Sequence, residues 1–220
     1  MAQDSRISAL QTAVQLIPDD YFAAYGGGWP GQISTALIDA VFSIRARYRT
    51  SNPETGVVGR VRSFQAAEPA ALDNLTALRD LGSARICKIM GSTVTGGRPK
   101  AEVVVEAAGA FVAAGVVHSD DFLAADHETM KDVYTGVIGL GPVTFEYFSM
   151  LLGVPGVKAD TMIVRYVNNA LRAAGHEAVI GKVARTLVIE VFDALQKGES
   201  LTHFEHALWR FQSDQTSGNL

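Results

Sequence analysis

The chain contains the stretch Val137-Ile138-Gly139-Leu140-Gly141-Pro142-Val143-Thr144, which predicts a tight turn between two helices. Apolar residues at helical spacing lie on both sides of it, over Thr129–Tyr134 and Val143–Leu152, so residues 129–152 form a candidate helix–hairpin–helix unit. Two glycines two positions apart let the backbone approach a ligand closely, and exposed amide groups there favour a phosphate. Taken alone, the turn is better explained as a plain connection between two packed helices.

The rest of the chain also favours helices. Apolar residues make up 48% of the sequence, and the 7 prolines are few. Further helices are predicted over Ile33–Tyr48, Pro69–Leu81, Lys100–Ala114, Thr161–Ala174, Ile180–Gln196 and Leu201–Phe211. Only Val103–Val105 and Val188–Val191 are also compatible with strands. We therefore expect an all-α fold, with residues 1–220 forming one unit of two helical lobes that share a cleft.

Composition limits the classes of function. A single cysteine, Cys87, excludes an internal disulfide framework, a four-cysteine zinc site and a four-cysteine iron–sulfur cluster, which favours a reducing compartment. The apolar runs are too short to span a membrane, and no apolar signal core opens the sequence. We expect a cytoplasmic protein with no membrane partner.

Residues downstream of the turn indicate a function for it. Gly139-Leu140-Gly141 and Thr144 are followed, after one helix length, by Asp160-Thr161 and then by Val164 and Arg165. This motif and its spacing resemble the helix-hairpin-helix DNA glycosylases of the endonuclease III (HhH-GPD) superfamily. The resemblance implies a hairpin at the junction of two helical lobes, Gly139, Leu140, Gly141 and Thr144 at the DNA backbone, and Asp160 as the catalytic aspartate. It also implies double-stranded DNA with an altered base as the partner, and a nucleoid-associated location.

Two departures from the family pattern indicate which branch of the superfamily the chain resembles. Val143 stands where many members carry the lysine that attacks the sugar, and valine cannot form a Schiff base. The C-terminal cysteine motif that holds an iron–sulfur cluster in several members is absent. The resemblance therefore implies a cluster-free, monofunctional glycosylase without lyase activity, and we expect no cofactor and no metal.

An aspartate suits base excision because the reaction passes through a positively charged, oxocarbenium-like sugar. A fixed carboxylate stabilises that charge and can orient or deprotonate the attacking water. The alternative is that Asp160 is an ordinary N-cap, the commonest use of aspartate before an apolar-periodic segment.

Basic residues cluster in two segments of a chain whose net charge is -4. Residues 43–62 hold five basic residues and one acid, and residues 158–185 hold five basic residues and two acids. By its position in the early helix, Arg45 falls where the family places the residue that fills the emptied base stack, with Arg49 on the same helix face. Candidate DNA contacts are Arg45, Arg47, Arg49, Lys158 and Arg165. The alternative for these arginines is a solvated helix face.

Two other classes of function stay open. A non-catalytic module that recognises distorted or modified DNA would keep the hairpin and the basic segments and be indifferent to Asp160. A helical scaffold predicts no salt-sensitive DNA binding at all.

His203 and His206 lie three residues apart on one helix, and Glu205 between them is expected to point away from both. Core or surface roles are therefore expected for the two histidines rather than a metal site. We expect a monomer, and no motif identifies the base.

Overall fold

The computed structural model describes residues 2–22, 27–52 and 54–217, and this part of the chain is all-α, as predicted. Its α-helices are α1 (Ala2–Gln15), α2 (Ile33–Phe42), α3 (Val57–Ala67), α4 (Leu75–Met90), α5 (Lys100–Ala113), α6 (Ser119–Ala124), α7 (His127–Thr135), α8 (Pro142–Leu151), α9 (Thr161–Ala173), α10 (Gly181–Leu195) and α11 (Leu201–Ser217). Short 3-10 helices cover Asp19–Tyr21 and Pro69–Ala71. No helix in these ranges has the length and apolarity that a membrane crossing needs.

The chain divides into two compact units. Unit 1 comprises Met1–Gly27 and Pro155–Leu220, so α1 joins α9, α10 and α11 around one apolar core. Leu10 and Val14 of α1 are buried in that core together with Val167 of α9. The sequence pattern did not predict α1, and its burial explains why a weakly amphipathic segment is helical: tertiary packing supplies the stability.

Unit 2 comprises Gly28–Val154 and holds α2–α8. All ten residues of α2 are buried, which makes it the central helix of the unit. An aromatic cluster lies beside it, in which Tyr134 stacks on Phe148 with ring centroids 5.7 Å apart and Phe122 meets Phe148 edge-on at 5.0 Å. Such pairs contribute about 1 kcal/mol each beyond their buried area.

Two predicted helix boundaries are wrong. The early helix ends at Phe42 rather than Tyr48, because Arg45 adopts φ +50°, in the left-handed region. The helix predicted over Pro69–Leu81 begins at Leu75, after the 3-10 turn at Pro69–Ala71. Its predicted stop at Gly82 corresponds to a break in α4, where Gly82 has a non-helical backbone with φ +73° and a second helical stretch continues to Met90. The segments Val103–Val105 and Val188–Val191 lie inside helices α5 and α10, which removes the strand alternative.

The predicted boundary loop at 91–99 contains a small antiparallel pair, β1 (Val94–Thr95) with β2 (Arg98–Pro99). Its turn packs against the hairpin between α7 and α8: Thr95 Oγ1 donates a hydrogen bond to the Gly139 carbonyl at 3.0 Å. A Cβ at Gly96 would lie 2.8 Å from Gly139 Cα, so glycine is required for this close approach. The pair therefore fixes the position of the hairpin within unit 2.

Candidate functional site

Asp160 lies at the N-terminus of α9, where the sequence placed it. Its Oδ1 accepts hydrogen bonds from the amides of Met162 (2.8 Å) and Ile163 (3.1 Å), so the side chain is an N-cap. Its Oδ2 accepts from Nε1 of Trp209, on α11, at 3.2 Å. Oδ1 thus caps the helix. Oδ2 accepts from one donor among the described residues and retains a lone pair for a further partner.

Glu205, also on α11, is a second carboxylate of this site that the sequence reasoning set aside. It is only 5% exposed, and burial raises its pKa to about 8, with the negative charge of Asp160 adding to the shift. The positive charge of Lys158 and a hydrogen bond from the Lys158 amide oppose that shift. Glu205 is therefore protonated at neutral pH, so the negative charge of the two carboxylates resides on Asp160.

The position of Glu205 follows from its helix. Glu205 and Trp209 are four residues apart on α11, so they share one face, and Trp209 is hydrogen bonded to Asp160. This spacing was the signal in the sequence that could have identified Glu205.

The two basic residues predicted beside Asp160 differ in their surroundings. The Lys158 carbonyl accepts a hydrogen bond from the Asp160 amide at 2.6 Å, so Lys158 belongs to the turn that presents the carboxylate. Arg165 is exposed on α9, five residues after the cap. Unit 1 therefore brings together Lys158, Asp160, Glu205 and Trp209, with Arg165 further along the same helix.

The hairpin in unit 2 uses its two glycines differently. Gly139 has φ +100°, and a Cβ there would lie 3.2 Å from the Thr95 carbonyl oxygen, so the fold itself requires this glycine. Gly141 has an extended backbone, with φ -144°, and a Cβ added there would meet no described atom within 4 Å. Neither backbone strain nor packing explains Gly141, and the space beside it is open to a ligand.

Hydrogen bonds decide which hairpin amides can bind an anion. The Gly141 amide donates to Thr144 Oγ1 at 3.1 Å, and the Thr144 hydroxyl donates back to the Gly141 carbonyl at 2.8 Å. The Leu140 amide donates to Val137, and the Leu140 side chain is buried. In contrast, the amides of Gly139 and Val143 have no acceptor within the described ranges. Thr144 and Leu140 thus shape the hairpin, while Gly139 and Val143 offer free donors.

Arg45, Arg47 and Arg49 lie in the segment that follows α2, and all three are exposed. Because α2 ends at Phe42, Arg45 and Arg49 do not share a helix face, and that part of the prediction is wrong. Arg45 is one of two non-glycine residues with positive φ in the described chain. A strained backbone of this kind costs about 1 kcal/mol or more and is retained where surrounding contacts enforce it.

Two buried ionisable residues enforce the conformation of this segment, and the sequence reasoning missed both. Asp39 is fully buried in α2 and accepts hydrogen bonds from Ser43 Oγ (2.9 Å) and Tyr48 OH (2.8 Å). Lys100 Nζ donates to the carbonyls of Phe42 (2.9 Å) and Ile44 (2.7 Å). Asp39 was detectable as the one charged residue of the otherwise uncharged α2.

Three solved structures share this fold. The Schizosaccharomyces pombe 3-methyladenine DNA glycosylase Mag1, in complex with abasic DNA, has a TM-score of 0.60 and 15% identity, covering 94% of this chain and 96% of that one. A trapped endonuclease III–DNA covalent intermediate has a TM-score of 0.55 and 13% identity, covering 96% and 86%. MBOgg1 with a low-affinity DNA ligand has a TM-score of 0.55 and 12% identity, covering 84% and 61%.

The chain thus spans about three fifths of MBOgg1 and nearly the whole of Mag1. No curated protein matches it in sequence. At identities of 12–15%, the three structures establish a shared all-α fold. Residues 10–213 match the family model described as a domain of unknown function, DUF8548, and the chain belongs to that family.

Proposed function

We propose that this protein is a monofunctional DNA glycosylase that hydrolyses the N-glycosidic bond of an altered base flipped out of duplex DNA, with Asp160 as its catalytic carboxylate. The observation that carries the proposal is the fixed geometry of Asp160: a carboxylate held at a helix N-terminus through Oδ1, with Oδ2 directed to Trp209. It occurs in a chain with the fold of DNA glycosylases solved with DNA.

The chemistry follows from the charges around Asp160. As the bond to the base breaks, the sugar becomes positively charged, and Oδ2 of Asp160 stabilises that charge while orienting a water for attack. Burial keeps Glu205 protonated, so no second negative charge competes for a cation in this site. The carboxylate does not have to reorganise, since the helix amides already hold it in place.

The proposal assigns DNA-backbone binding to the hairpin of unit 2. The free amides of Gly139 and Val143 lie at the start of α8, where the helix dipole favours a phosphate. The open space beside Gly141 admits the oxygen atoms of a phosphate, and a grip of this kind is indifferent to base sequence. The exposed Arg45, Arg47, Arg49 and Arg165 would add charge-dependent contacts.

A screen for base release tests the proposal. Duplexes that each carry one altered base are incubated with the full chain, and abasic sites are measured by alkaline cleavage. We expect release of at least one base and no covalent adduct on borohydride treatment, because the exposed Val143 side chain cannot form a Schiff base. An adduct that survives reduction would refute the monofunctional assignment, and no release from any lesion would refute the enzyme.

A second candidate function is a non-catalytic module that binds distorted or modified DNA. The observation that favours it is that Asp160 already has a complete structural role as the N-cap of α9. Such a module would bind the same duplexes and release no base from any of them.

The two hairpin glycines supply a matched pair of variants. Gly139→Ala should lower the free energy of unfolding by about 1–2 kcal/mol, because alanine at φ +100° is strained and its methyl group meets Thr95. Gly141→Ala should cost no more than about 1 kcal/mol of stability, because alanine is a poorer N-cap than glycine. It should weaken duplex binding by about tenfold, roughly 1.4 kcal/mol, because its methyl group occupies the space proposed for a phosphate. Urea unfolding and fluorescence anisotropy measure the two effects.

Gly141→Ala is the decisive variant of the pair. Wild-type DNA affinity in this folded variant would show that no phosphate lies against Gly141, and the backbone contact would have to be assigned to another part of the chain.

A further inference from the structure

Unit 2 contains a cationic cavity of about 530 Å³. The chain segments at 42–50, 55–60 and 90–94 surround it together with Lys100. Four basic side chains line this cavity, from Arg45, Arg47, Arg60 and Lys100, and none of the described lining residues is acidic. Hydroxyl groups add hydrogen-bonding capacity to the walls; they belong to Thr50, Thr55, Ser92 and Thr93.

Lys100 is the least usual of these residues, because it is only 2% exposed. Its ammonium group donates to the Phe42 and Ile44 carbonyls, and no carboxylate pairs with it among the described residues. An ammonium carries three N–H donors, so one is left for a ligand. Buried charges are ordinarily paired because desolvation is costly, and burial accordingly lowers the pKa of Lys100. An anion in the cavity would supply the missing partner.

Arg60 is also built into the wall. Its Nη1 donates to the Met90 carbonyl at 2.8 Å, which leaves other guanidinium donors for a ligand. Gly91, next in the chain, has φ +90°, and a Cβ there would overlap Arg60 Nη1. A glycine is therefore needed at 91 for the guanidinium to reach this position.

Arg45 completes the arrangement. Arg45 lines the cavity and has a strained backbone with positive φ. Ser43 and Tyr48, which lie on either side of Arg45 in the chain, both donate hydrogen bonds to Asp39 and so hold this segment in place. Backbone strain that is maintained by surrounding contacts is more frequent at ligand-binding and active sites than elsewhere.

We propose that this cavity binds a phosphate group carried on a nucleotide, held by Lys100 and the three arginines. Guanidinium and ammonium groups are the preferred partners of phosphate, and the hydroxyl groups complement its remaining oxygens. The cavity volume is in the range of small-molecule sites and exceeds the space that one phosphate needs, so a sugar or base can enter with it. The phosphate belongs either to a free mononucleotide or to a nucleotide of a DNA strand.

Calorimetric titration of the full chain with dAMP, inorganic phosphate and a short single-stranded oligonucleotide tests this inference. Chloride at equal ionic strength is the reference. We expect dAMP or the oligonucleotide to bind and the affinity to fall at least tenfold in Arg47→Ala and in Lys100→Met. Lys88→Met, which removes an exposed cation of α4 outside the cavity, should bind as the wild type does.

Each outcome assigns or refutes the site. Binding of dAMP identifies a free nucleotide as the ligand, whereas binding of the oligonucleotide alone identifies a DNA phosphate. If Lys100→Met does not fold, the affinities of Arg47→Ala and Arg45→Ala for dAMP and the oligonucleotide test the site instead. Equal losses in Lys88→Met and Arg47→Ala, or no binding above the chloride reference, would overturn the inference. No step measures base release, so this result is independent of the proposed glycosylase activity.

Discussion

Replacing Asp160 with asparagine is expected to lower the rate of base release by roughly 10³-fold, the scale at which a single acid–base or charge-stabilising group contributes to catalysis. Asparagine caps helices as well as aspartate does, so its Oδ1 can still accept from the Met162 and Ile163 amides, and the fold should persist. The substitution removes the negative charge and the hydrogen bond from Trp209 Nε1, because the amide nitrogen that replaces Oδ2 cannot accept. Single-turnover base release measures the loss, and duplex affinity should stay within about twofold, below 0.5 kcal/mol.

Asp160→Ala is the companion variant, because it removes both the charge and the cap. It should be as inactive as Asp160→Asn but less stable, by about 1 kcal/mol, owing to the lost hydrogen bonds to α9. If Asp160→Asn released bases at the wild-type rate while Asp160→Ala lost only stability, Asp160 would be an N-cap alone. The glycosylase activity would then have to be assigned to another group of the chain.

The sequence predicted those parts of the site that depend on local patterns. The turn at Gly139, the start of α8 and the capping position of Asp160 each follow from residues within a few positions of one another. Backbone conformation at a glycine or a helix terminus is set locally, so spacing along the chain is sufficient to find it.

The residues that the sequence reasoning missed depend on contacts between distant segments. Lys100 bonds to carbonyls that lie 56 and 58 positions earlier, and Glu205 meets a turn that lies more than 40 residues away. A polar residue inside an apolar pattern signals that a partner exists but not which segment supplies it. The early end of α2 has the same origin, since Asp39 and Lys100 hold the following chain in a conformation that helical periodicity alone does not predict.

Glu205→Gln is expected to stabilise the protein at alkaline pH by up to a few kcal/mol. The pKa of Glu205 is about 8 in the folded protein and near 4.5 in the unfolded chain. Between these values the folded state binds the proton more tightly, so stability falls as pH rises from about 4.5 through about 8. Each pKa unit is worth about 1.4 kcal/mol, and glutamine, which is neutral at every pH, removes this loss.

The test compares the free energy of unfolding of Glu205→Gln with that of the wild type from pH 5 to pH 9. Glutamine can still accept the Lys158 amide, so the two proteins should be similar near pH 5, where Glu205 is neutral in the folded state. Their difference should grow through neutral pH and level off above about pH 8, while other titrating groups cancel because both proteins share them. Glu177→Gln, at an exposed position of unit 1, should show no such divergence. A difference independent of pH would mean that Glu205 is ionised when folded, and two negative charges would then face the sugar in the proposed mechanism.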